Sequence, residues 1–419
     1  MSAQSPSRAH SRPRRILRPR TPASLPAVLA GLAVVLATAI SPTAARAIDG
    51  PADSRARTQS VSLQALPAIR QPGPKAAGSA DALTVLTAGL TPAIRGRRIT
   101  LERRNEQGWK TKETFRTGAN GRADFFVPTA LGRDASYRVV AEAFQGFPRR
   151  TSVVVASDAW GTADFDEEFA GTTLGPAWEH RIQFYNPWGG RACSKGSPAA
   201  VSVGGGALRL SSLPDRSMST PCTALDEEGG VLGDFPYRLN GHVSTQHTMD
   251  FLYGVAAARM RFQRDPGAHA AFWLQPRGLL DTGPTPWGTE IDVVEWYGSE
   301  AGRGRMSSCV HAPLAGGNKV QYGGAIPKPD RFLASRSDAW WRNFHVFSVE
   351  WTPTEYVFRI SGHEVWRTDQ GVSHDPEFLI LSMLSSDFEL PKLGDRENLT
   401  QTASVDWVKV WQADPLAAP

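Results

Sequence analysis

Glu290, Asp292 and Glu295 stand within six positions of the stretch GTEIDVVEWYG, residues 288–298. Three acids this close are usually a solvated face. Their neighbours argue otherwise: Ile291, Val293, Val294, Trp296 and Tyr297 are the β-branched and aromatic residues of a well-packed strand. Acids on such a strand either line a shared concave surface or carry a heavy desolvation cost. Residues i and i+2 share a strand face, so Glu290 and Asp292 point the same way, whereas Glu295 would fall on the opposite face of a regular strand. A β-bulge at Val293–Val294 inserts one residue and restores the parity. Three aligned carboxylates suit displacement at an anomeric carbon with retention: one attacks, another protonates the leaving oxygen, and their carboxyl groups need to lie about 5–5.5 Å apart. The backbone from Glu290 to Glu295 spans about 13 Å after a bulge, so the two Glu side chains must lean together over Asp292. Ionised Glu290 and Asp292 would oppose deprotonation of Glu295 and keep it an acid until Glu290 is esterified.

The rest of the chain must position that strand. From Trp160 onward, short runs such as ALRLS, VAAARMRFQ, HAAFWLQP, FHVFSVEW, FLILSMLSS and VDWVKVWQ alternate with Gly, Pro, Asn and Asp. About 250 residues of short strands without a sustained 3.6-residue period predict a β-sandwich or barrel. Twelve of the 13 Trp lie at or after Trp160, so whatever uses indole rings is there. Residues 80–157 read as a small β-sandwich accessory module, with an Asn120–Gly121 turn between strand runs. It resembles the immunoglobulin-like modules of secreted bacterial proteins and is either a spacer or a carbohydrate-binding accessory. Residues 48–79, rich in Pro, Ala, Ser and Gly, read as a linker.

Residues 1–47 read as a signal peptide: a basic PRRILRPR, an apolar run from Leu25 to Ile40, and a small-residue ARA cleavage site. The expected destination is extracellular. This segment holds seven Arg and no acid, so its removal takes the formal charge from +5 to −2. The basic pI belongs to the signal, and no basic patch interleaved with aromatics points to nucleic acid. No membrane partner is expected after signal removal, and a monomer is expected. Of three cysteines, Cys193 and Cys222 lie in loop-like sequence and are the expected disulfide; Cys309 lies in a strand-like run and reads as a buried free thiol.

The motif EIDVVE resembles the E-x-D-x-x-E signature of glycoside hydrolase family 16, in the bulged form of its laminarinase-like branch. The resemblance runs from about Phe165 to Trp411, through FDEEFAGTTLGPAW, YGVAAARMRFQRDPGAHAAFWLQP, FHVFSVEWTPTEYVFRISGHEVWR and VDWVKVWQ in order. It implies an all-β, concanavalin-like jelly-roll catalytic domain over residues 158–415 with a sugar cleft across its concave sheet. It further implies Glu290 as nucleophile, Glu295 as general acid/base and Asp292 as the assisting carboxylate.

Around the cleft, Trp287, just ahead of the signature, is the first candidate for stacking on sugar faces. Trp273 divides evenly between cleft and core, and Trp188 in YNPWGGRACSKG could reach the rim or fold onto its own domain. His311 in SSCVHAP is expected beside the acidic strand; it is not read as a metal ligand, because no second His or Cys stands at ligand spacing. No cofactor is required. The resemblance also implies a structural calcium away from the cleft, with Glu168 and Asp406 as candidate oxygen ligands; edge-strand acids are the plainer reading. One departure is Ser382 in LILSML where family sequences usually have Asn, followed by SSDFELP in place of a Gly-rich ending. The reading is a secreted, retaining endo-β-glycanase acting on a 1,3- or 1,3-1,4-β-glucan. The alternatives are a galactanase or transglycosylase of the same family, or a non-catalytic glucan-binding protein on the same fold.

Overall fold

The computed structural model describes residues 57–129, 135–186, 190–278, 288–300, 303–314 and 318–413. The signal segment, Trp188 and Trp287 fall outside these residues. Among the described residues, no helix is long and apolar enough to cross a membrane.

Residues from Ala56 onward form one compact unit, almost entirely β. Its larger part is a jelly-roll sandwich of two sheets. In the front sheet the strands run Arg238–Ser244, Glu377–Leu384, His269–Pro276, Glu290–Glu300, Arg303–Pro313 and Lys319–Ala325, each hydrogen-bonded to the next and antiparallel. In the back sheet they run Leu208–Pro214, Gln401–Gln412, Gly254–Arg261, His345–Trp351, Tyr356–Ile360 and His363–Thr368. The strand Arg238–Ser244 belongs to both sheets, because its first half also pairs with Leu208–Pro214. Alternate residues meet between the sheets: Phe272, Leu274, Ile291, Trp296, Leu379 and Leu381 from the front share one core with Ala256, Phe347, Val349, Trp351, Val405 and Val408 from the back.

The smaller N-terminal part has two sheets of its own. One is Ser60–Arg70, Leu83–Thr91 and Arg122–Pro128; the other is built on Gly108–Arg116, Arg98–Asn105 and Ser136–Ala141. Leu63, Leu86, Ile99, Leu101, Phe125 and Val139 fill the space between them. The strand Ser60–Arg70 corrects the reading of residues 48–79 as linker. It lies at the edge of its sheet and its register slips between Leu66 and Ala68, around Pro67, which is where a strand tolerates proline. Composition hid the alternation of Val61, Leu63 and Ala65 on its inner face.

The three-stranded sheet is buried on both faces. Its outer face places Leu66, Ile69, Ala82 and Val85 against Val255, Ala257, Val346, Trp407 and Trp411 of the back sheet. This explains why Gly254–Arg261 is buried at almost every position rather than alternating. Polar ties cross the seam: Gln64 Nε2 donates to Glu350 at 2.6 Å, Trp407 Nε1 to Gln71 Oε1 at 2.7 Å, and Trp160 Nε1 to the Ala65 carbonyl at 2.9 Å. Gly362, at φ 81°, lies so close that an added Cβ would stand 2.5 Å from Val85.

Candidate active site

The acidic strand carries the bulge that the spacing predicts. Against the strand His269–Pro276, Val294 faces Phe272 and Asp292 faces Trp273, leaving Val293 without a partner. Against Arg303–Pro313, Asp292 faces Cys309 and Glu295 faces Ser307, three residues against two. Glu290, Asp292, Glu295 and Tyr297 therefore share the outer face of the front sheet, while Ile291, Val294 and Trp296 enter the core.

Each carboxylate has its own setting. Glu290 Oε2 accepts from Gln275 Nε2 at 3.0 Å, with Lys319 Nζ at 3.6 Å, and Gln275 in turn accepts from Arg181 at 3.2 Å. Both oxygens of Glu295 are held: Oε1 by the Tyr297 hydroxyl at 2.9 Å and Oε2 by Ser307 Oγ at 2.7 Å. Asp292, between them, is 5% exposed. Burial is the main reason its pKa is pushed up to about 6; the charges of Glu295 and Glu290 add to the rise and the hydrogen bond with His311 opposes it. His311 Nε2 lies 3.3 Å from Asp292 Oδ2, and that bond raises the His311 pKa against the lowering effect of burial. The Cys309 thiol, 3.2 Å from the same oxygen, is pushed far up, first by burial and then by the charge of Asp292, so it stands as a protonated donor.

Trp273 lies on the cleft face, half-buried, its Nε1 donating to Ser382 Oγ at 3.1 Å. Ser382 thus anchors an aromatic ring on this face. His242 stacks on that ring at 5.9 Å between centroids, fully buried, with no hydrogen-bond partner for either ring nitrogen among the described residues. Burial and the neighbouring Arg181 and Arg191 push its pKa well down, so the ring is neutral. One nitrogen of each arginine, Arg181 Nη1 and Arg191 Nε, is buried and has no acceptor among the described residues. Beyond Arg191 opens a cavity of about 370 Å³ rimmed by Ile182 and Phe184, the latter 80% exposed.

The segment SSDFELP, residues 385–391, leads into 3₁₀ turns within Asp387–Arg396 that are kinked at Gly394. Glu389 pairs with buried His269 at 2.7 Å, and Asp387 accepts from the amides of Ala192 and Cys193. The expected disulfide Cys193–Cys222 packs beneath it with Leu390 and Leu393, and Cys309 is the expected buried free thiol.

Asp406 stands on a back-sheet strand and Glu168 just beyond the strand paired with it, and the two do not fit calcium. Asp406 is fully buried and ion-paired with Arg259, and it accepts from the amides of Ala77 and Gly78. Glu168 accepts from Ser79 N at 2.9 Å and faces Lys409 at 3.5 Å. A cation set there would meet N–H groups, a guanidinium and an ammonium rather than oxygens.

Gln275, Tyr297 and Cys309 join the site with a signal in the sequence: Tyr297 and Cys309 stand two residues from Glu295 and His311, and Gln275 two from Trp273, whose face the sequence leaves open. Ser307 faces Glu295 only through the strand register, and Arg181 arrives from a loop about 110 residues upstream, so neither had a local signal.

Residues 217–409 match the family model described as glycosyl hydrolases family 16. The chain is 26% identical over 180 residues to the endo-1,3-1,4-beta-glycanase EglC of Rhizobium meliloti (strain 1021), a match covering 42% of this chain and 34% of that protein. The match thus spans about a third of the length of that relative. Among solved structures, the chain is similar to the laminarinase catalytic domain of Thermotoga maritima MSB8, at 18% identity and a TM-score of 0.47, covering 60% of this chain and 98% of that one. It is also similar to the endo-beta-1,3-glucanase of Pyrococcus furiosus, at 17% identity and a TM-score of 0.46, covering 60% and 94%.

Proposed function

We infer that this chain, whose residues 217–409 match the model of glycosyl hydrolases family 16, is an endo-acting β-glycanase that cleaves 1,3- or 1,3-1,4-β-glucan with retention. The observation that carries the reading is the bulge at Val293, which turns Glu290, Asp292 and Glu295 onto one open sheet face. A curated relative named as an endo-1,3-1,4-beta-glycanase supports the substrate class. The basic, apolar and small-residue order of the first 47 residues supports export.

Glu290 attacks the anomeric carbon, the glycosidic C–O bond breaks, and the leaving oxygen takes the proton of Glu295. Water then gives a proton to Glu295 and its oxygen to the anomeric carbon, and Glu290 is released as carboxylate. Gln275 and Lys319 hold Glu290, and Ser307 and Tyr297 aim Glu295. Trp273 offers the apolar sugar face a ring. A second reading, a glycan carrying an acidic substituent, is favoured by the unmatched buried donors of Arg181 and Arg191.

The test is reducing-end release from laminarin, mixed-linkage glucan, agarose, carrageenan and xyloglucan, with Glu290→Gln alongside. Release from a β-glucan, lost by several orders of magnitude in the variant, is the expected result. Preference for carrageenan selects the acidic reading. No release, with undiminished adsorption to a glucan, would establish a binding protein instead. For the stereochemistry, Glu290→Gly supplied with azide should yield the α-glycosyl azide from a β-linked activated substrate; no rescue, or a β-azide, removes Glu290 from the nucleophile's role.

A further inference from the structure

Cys309 and His311 are two residues apart on one strand and therefore share a face, and Asp292 is paired directly across from Cys309. Three ligand-type atoms converge there: Asp292 Oδ2 to Cys309 Sγ is 3.2 Å, Asp292 Oδ2 to His311 Nε2 is 3.3 Å, and Cys309 Sγ to His311 Nε2 is 3.6 Å. A tetrahedral zinc ion with O or N ligands at about 2.0 Å and S at about 2.3 Å has O···N edges of about 3.3 Å and edges to sulfur of about 3.5 Å. The observed triangle matches one face of that tetrahedron without backbone movement. Among the described residues, this is the only group of three His, Cys, Asp or Glu side chains with ligand atoms so gathered. The donor set of thiolate, imidazole and carboxylate is a zinc or cobalt set rather than a calcium or magnesium one. His311 is partly exposed, so its side opens towards solvent, which leaves the fourth vertex to water.

We propose that Asp292, Cys309 and His311 form a binding site for a thiophilic divalent cation, with zinc as the type case, and that the bound ion shuts off the adjacent carboxylates reversibly. The cation displaces the thiol proton of Cys309 and whatever proton His311 and Asp292 share, both passing to solvent, so binding releases protons and tightens as pH rises. Glu290 and Glu295, facing from the acidic strand, add attraction; Lys319, from the strand beyond His311, opposes it. Binding stands apart from the glycan reading. Inhibition rests on that reading, because an ion held by Asp292 neutralises the charge between Glu290 and Glu295 and covers the floor on which substrate would lie.

The experiment uses the full secreted chain without a histidine tag, stripped with chelator. Cobalt(II) should bind one to one and produce the intense near-ultraviolet thiolate-to-cobalt charge-transfer band with four-coordinate visible absorption. Zinc should displace it, and X-ray absorption of the zinc-loaded wild type should show one sulfur at about 2.3 Å. Cys309→Ser should lose the band, and His311→Ala should weaken zinc binding by at least about tenfold, each checked for wild-type circular dichroism. Absence of sulfur in the wild-type zinc shell, or a charge-transfer band that survives in Cys309→Ser, overturns the site; the wild-type measurement stands even if the variants misfold. If the wild type releases sugar, stoichiometric zinc should abolish release and chelator should restore it. Zinc bound through sulfur with release unchanged overturns the inhibition and leaves the site.

Discussion

Arg259→Met separates the two readings of the Asp406 site. In the wild type, Arg259 is ion-paired with Asp406, donates to the carbonyls of Gln71 and Lys75, and stacks on Phe344. Asp406 is fully buried and Arg259 1% exposed. Burial pushes the Asp406 pKa up and the Arg259 pKa down, both against the pull of the pair, so desolvation has consumed much of the Coulomb energy. Removing one partner leaves an uncompensated buried charge, which costs about 3–5 kcal/mol. The compact unit Ala56–Pro419 is about 360 residues; at about 2.1 cal/mol/K per residue, each kcal/mol moves Tm by a little over 1 °C, so a drop of about 4–7 °C is expected. Arg259→Met with Asp406→Leu should regain part of the loss, since an apolar pair replaces an ionic one at little cost. The amides of Ala77 and Gly78 then lack an acceptor, worth about 1–3 kcal/mol, so recovery stays incomplete. Calorimetry with and without a calcium chelator completes the assay, and wild-type Tm should not move. A wild-type Tm that falls with chelator and returns with calcium would refute the assignment of Arg259 as the cation at this site, as would a loss below about 1 kcal/mol in Arg259→Met.

Three further outcomes follow from the cleft. Ser307→Ala and Tyr297→Phe each remove one donor from Glu295, about 1–2 kcal/mol, so each should lower kcat roughly 5- to 30-fold with KM little changed; an altered KM alone would move these groups to substrate binding. Asp292 has a folded pKa of about 6, above its unfolded value of about 3.9, so its stability contribution is full below about pH 4 and is lost as pH rises through 6. The stability of Asp292→Asn relative to wild type should therefore become more favourable between pH 4 and 7, by up to about 3 kcal/mol, and a flat difference would sink that account. Trp273→Ala should raise KM at least about tenfold through lost ring contact and the freed Ser382, while adsorption that is unaffected would return Trp273 to a packing role.

The acidic strand was legible because its own residues state the geometry: two apolar residues, Val293 and Val294, where a regular strand would have one. Cys309 and His311 are equally legible in parity, because two residues apart on one strand share a face, but that spacing differs from the loop and helix spacings of most zinc ligands. The role of Ser307 depends on which residue of the next strand faces Glu295, and a one-residue bulge shifts that register; local pattern holds no such information. Asp406 has no local signal for its role: its partner Arg259 lies across a ladder from it, and the amides that complete its shell come from residues 77 and 78, a stretch whose composition looks like tether. Trp273 was undecided for a related reason: on an open sheet both faces of HAAFWLQP are apolar, and only the pairing with Asp292 says which side is wet.

The seam between Leu66, Ile69, Val85 and Val255, Val346, Trp407 has a consequence for inheritance. Residues 217–409 match the family model, yet one face of their back sheet is finished by side chains from residues 66–85. A segment boundary drawn by family likeness cuts through a closed surface. Exchange of the N-terminal module between chains therefore has to carry matching halves of that surface, the Gly362–Val85 approach included, and the module and the sandwich are selected as one block rather than as interchangeable parts.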